Sequence, residues 1–169
     1  LMLGTIEDTG DTEEATPTFG ASDIMHLSRV QLLAAYACTE CGRCTDECPA
    51  NQTGKLLSPR KIMMDTRRRA QEVSANILHN KGTFVPDQKA LLGDYITPEE
   101  LWACTTCAAC VDACPMEISP LSIITEMRRY IVMEQSAAPA SLNKMMTQME
   151  NTSSPWGYNP AERETVLNE

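Results

Sequence analysis

Apolar residues recur along this chain at helical intervals, each run introduced by its own start signal. Ser28 and Gln31 form the ends of a capping box ahead of "VQLLAAYAC" (30–38), predicting a helix that delivers Cys38 at its end. Ser58-Pro59 supplies an N-cap followed by proline at the first helical position. It opens "PRKIMMDTRRRAQEVSANILHN", where Met63, Ala70, Val73 and Ile77 fall on one apolar stripe, and Gly82 ends the run. Thr97-Pro98-Glu99-Glu100 is a second capping box, predicting a short helix that leads through Trp102 to Cys104. Ser119-Pro120 starts "PLSIITEMRRYIVMEQ", with Ile123, Ile124, Met127, Tyr130 and Ile131 inward. A last helix is expected from about Ala140 to Glu150, with Leu142, Met145, Met146 and Met149 inward. With only 5% aromatic residues and 10 methionines, a small core of Met, Leu, Ile and Ala suits helices rather than a β-sandwich, so the fold class is all-α.

The segments between these runs differ in character. Residues 1–22 read as a flexible acidic lead of Gly, Thr, Pro and acids without periodicity. Residues 23–150 hold the helical runs, and 151–169 form a tail rich in turn residues that suits a linker to a further domain. The chain opens on Leu1 rather than Met and reads as a piece of a longer protein.

The chain is also a duplication. "YACTECGRCTDECP" aligns with "WACTTCAACVDACP", so Tyr36 matches Trp102. A Ser-Pro pair opens a helix after each. Eight and nine residues beyond that proline stand Arg67-Arg68 in one half and Arg128-Arg129 in the other. The first half carries five extra residues before its helix. Matching residues at matching offsets predict a pseudo-twofold unit of helix, loop and helix, and tilt the arginine pairs toward a structural role.

Every one of the 8 cysteines lies in the repeated run C-x2-C-x2-C-x3-C-P. Three thiolates at two-residue gaps wrap one face of a cubane. The fourth points away and, in proteins with two clusters, ligates the other one. Proline then turns the chain away. The pattern assigns Cys38, Cys41, Cys44 and Cys114 to one [4Fe-4S] cluster, and Cys104, Cys107, Cys110 and Cys48 to the other. A tetrahedral zinc site has no need of the third cysteine in each run. Disulfides suit cysteines three apart poorly. Small residues between the cysteines (Gly42, Ala108, Ala109) let backbone N–H groups approach the sulfurs, and Thr39, Thr105 and Thr106 offer hydroxyls. Tyr36 and Trp102 read as packing that keeps water from the clusters rather than as an electron path.

Charge narrows the function further. The net charge is −9, and residues 1–23 carry six acids without a Lys or Arg, leaving −3 on the other 146 residues. A single basic stretch from Lys55 to Arg69 in an acidic chain is a poor footprint for nucleic acid. Arg60, Lys61, Arg67 and Arg68 in it suit either a solvated helix face or the neutralisation of a negative cluster. No apolar stretch approaches the length of a bilayer span. The clustered cysteines point to a reducing, cytoplasmic setting, including the cytoplasmic face of a membrane. His26 and His79 stand alone and read as ordinary surface or core residues.

Paired C-x2-C-x2-C-x3-C-P runs separated by about one helix pair resemble an α-helical ferredoxin domain. It is the type of the heterodisulfide reductase C subunit and the glycolate oxidase iron–sulfur subunit. "SSPWGYNP" resembles, at Pro155, Trp156 and Gly157, a motif that follows this domain in such proteins, with Ser154 in place of its Asn. The resemblance implies an electron-transfer module of a larger oxidoreductase. Its donor would be a flavoprotein, a membrane cytochrome or a quinone-linked protein, and its acceptor a reductase domain or subunit. A reductase in its own right would need spare cysteines or a flavin site, yet every cysteine is assigned and no G-x-G-x-x-G unit is present. A structural metal-binding adaptor is the remaining alternative. No catalytic residue is assigned.

Overall fold

The computed structural model describes residues 18–158. Most of the acidic lead (1–17) and the end of the tail (159–169) lie outside the described residues. Regular structure among the described residues is helical apart from an isolated bridge between Leu92 and Ile96. The α-helices are α1 (Arg29–Ala37), α2 (Arg43–Asp46), α3 (Pro49–Gln52), α4 (Pro59–His79), α5 (Pro98–Ala103), α6 (Ala109–Asp112), α7 (Pro120–Met133) and α8 (Ala140–Thr152). A short 3-10 turn, Ile24–His26, precedes them, and an irregular turn at Leu91–Tyr95 lies before α5.

The start signals work as their chemistry dictates. Ser28 accepts from the Gln31 N–H while the Gln31 side chain takes the Ser28 N–H, closing the box on α1. Thr97 and Glu100 do the same on α5. Ser58 accepts from Lys61 N–H on α4, and Ser119 from Ser122 N–H on α7, each with proline at the first turn. The end of α4 is handled by Asn80 and by Gly82, whose N–H returns to the Ile77 carbonyl at 2.8 Å with φ near 97°.

Helix packing follows the repeat. α1 packs on α4, and its counterpart α5 packs on α7. α2 lies against α4, and α6 against α7. Across the pseudo-twofold axis, α4 meets α7 and α2 meets α6. The core between them is Ile62, Met63 and Val73 from α4 with Ile123, Ile124, Met127 and Ile131 from α7, joined by Leu57, Leu91, Ile96 and Leu101. Tyr130 and Ile77 stand at the edge of that core, half-buried.

Two features run against the apolar pattern. α8 forms over Ala140–Thr152, but Met145, Met146 and Met149 are exposed and Leu142 is half-buried, so the expected inward face covers no core among the described residues. Spacing made that helix amphipathic. It could not say whether the rest of the chain would supply a surface to bury against. Conversely, Arg69 is fully buried in the middle of the α4 stripe. Its guanidinium bonds Asp23 and Asp87 and donates to the Lys89 carbonyl at 2.7 Å. The Asp23 carboxylate also accepts from the Leu91 N–H. That network pins the segment before α1 and the connector after α4 to one helix.

Candidate iron–sulfur centres

Each cysteine run sits at the end of a helix and is wound by two left-handed residues. Cys38 and Cys104 are the C-caps of α1 and α5. Glu40 and Thr106 follow with φ near 60° and 57°, then Gly42 and Ala108 with φ near 88° and 65°. Gly42 takes this backbone at no steric cost, whereas Ala108 takes it in the second loop despite its Cβ. α2 and α6 start at the next residues and carry the third cysteines, Cys44 and Cys110, inward. Cys110 and Cys48 are buried, while Cys41 and Cys107 are exposed.

The repeated arginines fix both loops. Arg67 Nη1 donates to the Cys38 carbonyl at 3.1 Å. Arg128 donates to the Leu101 carbonyl at 3.0 Å and to the Cys104 carbonyl, and its guanidinium stacks over Trp102 with 5.0 Å to the ring centroid. A cation on the last carbonyls of a helix satisfies orphan acceptors and opposes the negative end of the helix dipole. The second arginine of each pair is a surface residue. Arg129 pairs with Glu126 one turn back, and Arg68 pairs with Glu72 and lies over Tyr95. The repetition in sequence therefore marks one structural position, not two.

The last cysteine of the second run comes beside the first. One small pocket is lined by Cys38, Cys41, Cys44 and Cys114, together with Cys110 and Arg60. Burial pushes the Cys38 thiol up, Arg67 opposes this, and the thiols of Cys114 and Cys41 add to it. Burial also raises Cys44, against a hydrogen bond from Thr45 and with Cys38, Cys114 and Cys41 adding. Cys110 is pushed up to about 11 by burial and then by Cys104, Cys48 and Cys44. Cys114 thus acts on the first run and Cys48 on the second. The Cys44–Cys110 interaction lies where α2 meets α6.

Donors already face these sulfurs. The Thr106 N–H points to Cys104 Sγ at 3.4 Å. Cys107 is held below the usual thiol range by the Ala109 N–H and the Thr105 hydroxyl. The Trp102 indole N–H is buried without an acceptor among the described residues. Trp102 packs against the core, but Tyr36 is 48% exposed, so water-shielding by the aromatic applies to the second loop alone. The difference follows from the partner arginine, since Arg128 stacks on its aromatic and Arg67 does not.

Among the described residues no three His, Cys, Asp or Glu side chains converge closely enough for a single metal ion. The third cysteine of each run suits a polynuclear cluster better than one tetrahedral ion. His26 bonds Ser22 and stands apart from both loops. The residue that sequence reasoning did not single out is Glu100. It is buried, closes the α5 capping box and binds Lys61 Nζ at 2.6 Å, tying the helix before Cys104 to α4. Burial pushes its carboxyl up, and the Lys61 ammonium and Thr97 pull it below the ordinary range on balance. The capping-box motif was the available signal, but it announces a helix start and not a cross-helix ion pair.

Residues 37–118 match the 4Fe-4S dicluster domain model. The "Probable iron-sulfur-binding oxidoreductase FadF" of Bacillus subtilis is 34% identical over 98% of this chain. The "EtfAB:quinone oxidoreductase" of Syntrophomonas wolfei is 33% identical over 92% of it. The chain spans 28% and 24% of the length of those two relatives. The C subunit of a CoB-CoM heterodisulfide reductase of Methanosarcina acetivorans is 31% identical over 70% of this chain and 60% of its own length. The cofactors are two [4Fe-4S] clusters, which the eight cysteines in two groups fit. Residues 37–118 form a 4Fe-4S dicluster domain in an all-α, ferredoxin-like fold, with homologues among heterodisulfide reductase C subunits.

Proposed function

We propose that this chain is an electron relay within a larger heterodisulfide reductase-like oxidoreductase, with each cluster completed by a cysteine from the opposite half. When bound, the clusters accept and release single electrons. Cys38, Cys41, Cys44 and Cys114 hold one, and Cys104, Cys107, Cys110 and Cys48 hold the other. The observation that carries this reading is the shared cavity of Cys114 with Cys38, Cys41 and Cys44. The action of Cys48 on the Cys110 thiol supports the reciprocal half. α4 and α7 keep water from the inner side of both loops, Arg67 and Arg128 fix their entry, and the exposed Cys41 and Cys107 mark where electrons enter and leave.

The partners are redox proteins. For the donor we keep a flavoprotein, a membrane cytochrome or a quinone-linked protein, with a reductase domain or subunit as acceptor; the name of one relative puts quinone on the acceptor side. Among the described residues no helix is long and apolar enough to cross a membrane. We place the chain in the cytoplasm, at a membrane face where its parent is anchored. The functional domain is 23–150, between a lead (1–22) and a tail (151–169).

Metal analysis and single-cysteine variants test this. Anaerobically purified protein should hold about eight irons and eight sulfides, as two clusters of four irons and four sulfides require. Cys48→Ser should damage the cluster of Cys104, Cys107 and Cys110, and Cys114→Ser the other. EPR identifies each cluster by its own spectrum. Damage confined to the cluster beside the substituted residue in sequence would overturn the exchange, and zinc without iron would overturn the relay.

A further inference from the structure

The two halves hold their loops with the same arginine but leave its charge in different states. Arg67 donates to the Cys38 carbonyl and also forms an ion pair with Glu40. Arg128 donates only to carbonyls, stacks on Trp102, and has no carboxylate within ion-pair distance among the described residues. Carbonyl oxygens satisfy the N–H groups of a guanidinium without cancelling its charge. A half-buried cation without a counter-ion is costly. The cause is one position. Glu40 in the first loop is Thr106 in the second, each two residues after the first cysteine and each in the left-handed backbone.

Reduction adds one negative charge to an iron–sulfur centre. An uncancelled cation beside it favours that charge, whereas a cation paired with a carboxylate acts as a dipole whose field falls off faster. We propose that the Glu40/Thr106 difference sets the two centres at different potentials. Thr106 leaves Arg128 uncancelled, so the Cys104-side centre has the higher potential and holds the electron. This rests on the two-centre reading above.

Two other features bear on the order. Arg60 lines the first pocket where the second half has Leu121, but Arg60 is exposed, so water and salt screen it. Arg128 is pinned by carbonyls and an indole. Burial of Cys110 and Cys48 disfavours added charge, yet the same low dielectric extends the field of Arg128.

Anaerobic redox titration of the holo-protein, followed by EPR, reads both midpoints. Thr106→Glu should supply Arg128 with the partner Arg67 already has, and lower the higher midpoint. The expected change in the one-electron equilibrium is about tenfold, which is about 59 mV. Glu40→Thr should raise the lower midpoint by a similar amount. The Thr106 hydroxyl donates to the Thr105 carbonyl rather than to a sulfur, and the N–H toward Cys104 Sγ belongs to the backbone, so the uncharged Thr106→Gln should leave both in place. Both positions are exposed and already in left-handed backbone, so cluster content should not change. Movement of the lower midpoint by Thr106→Glu would overturn the proposal, as would unmoved midpoints at full iron content. Unsubstituted protein with fewer than two clusters would overturn the two-centre reading, and this proposal with it.

Discussion

Gly20 lies over the backbone of α7 at the hydrogen bond between the Glu126 carbonyl and the Tyr130 N–H. A Cβ built there would come within 2.4 Å of both atoms, and φ is near 81°. Backbone cannot move aside as a flexible side chain does, so this position requires glycine for space as well as for conformation. The close approach lets the Ala21 N–H reach the Glu126 carbonyl at 3.1 Å and buries Ala21. Gly20→Ala should therefore unseat the segment and cost about 2–3 kcal/mol, from strain, lost burial and a lost hydrogen bond. Anaerobic urea denaturation of the holo-protein measures this. Iron content should stay unchanged, because the segment touches none of the cysteines. A midpoint equal to that of the unsubstituted protein would mean Gly20 is not seated on α7 in solution.

At the scale of elements, both cysteine loops hang from short capped helices. α1 has nine residues and α5 six, and neither is long enough to be stable alone. Removing a capping hydroxyl costs about 1 kcal/mol. Ser28→Ala should loosen α1 and the Cys38 loop, and Thr97→Ala should loosen α5 and the Cys104 loop. Challenge with a strong iron chelator, followed by EPR, should show faster loss of a different cluster in each variant. Loss of the same cluster from both would show that the caps do not act through their own loops. These boundaries were legible in the sequence because capping depends on residues three apart. The α4 and α7 stripes were legible for a similar local reason. What was not legible depends on distant surfaces. The methionines of α8 look inward by spacing yet face out, and Arg69 looks like part of a basic surface run yet is buried. The partners of Arg69 lie 46 and 18 residues away, beyond any periodicity. The cysteine spacing announced the candidate site, while the different surroundings of Arg67 and Arg128 appeared only in three dimensions.

Across the whole molecule, two pseudo-equivalent halves must stay in register for crossed ligation to work. The Arg69 network acts on that register. It ties α4 of the first half to Asp23, next to the segment lying on α7, and to Asp87 in the connector that leads to the second half. Hydrogen bonding to Arg69 lowers the Asp87 carboxyl from its ordinary 3.8 to about 2. A carboxyl depressed in the folded state stabilises the fold fully above its unfolded value, and loses that contribution as pH falls through its folded value. The window is therefore about pH 4 down to 2. Asp87→Asn keeps the shape and removes the charge, leaving Arg69 with Asp23 alone. It should cost about 1–3 kcal/mol at neutral pH. Anaerobic urea midpoints of the two proteins should differ by a constant amount from pH 8 to 5, and converge below about pH 4. Acid loss of iron acts on both proteins alike, so the difference between them isolates the carboxylate. Convergence already at pH 6 would place the pH-sensitive group elsewhere, and equal midpoints at pH 7 would remove Asp87 from the set of contacts that hold the halves in register.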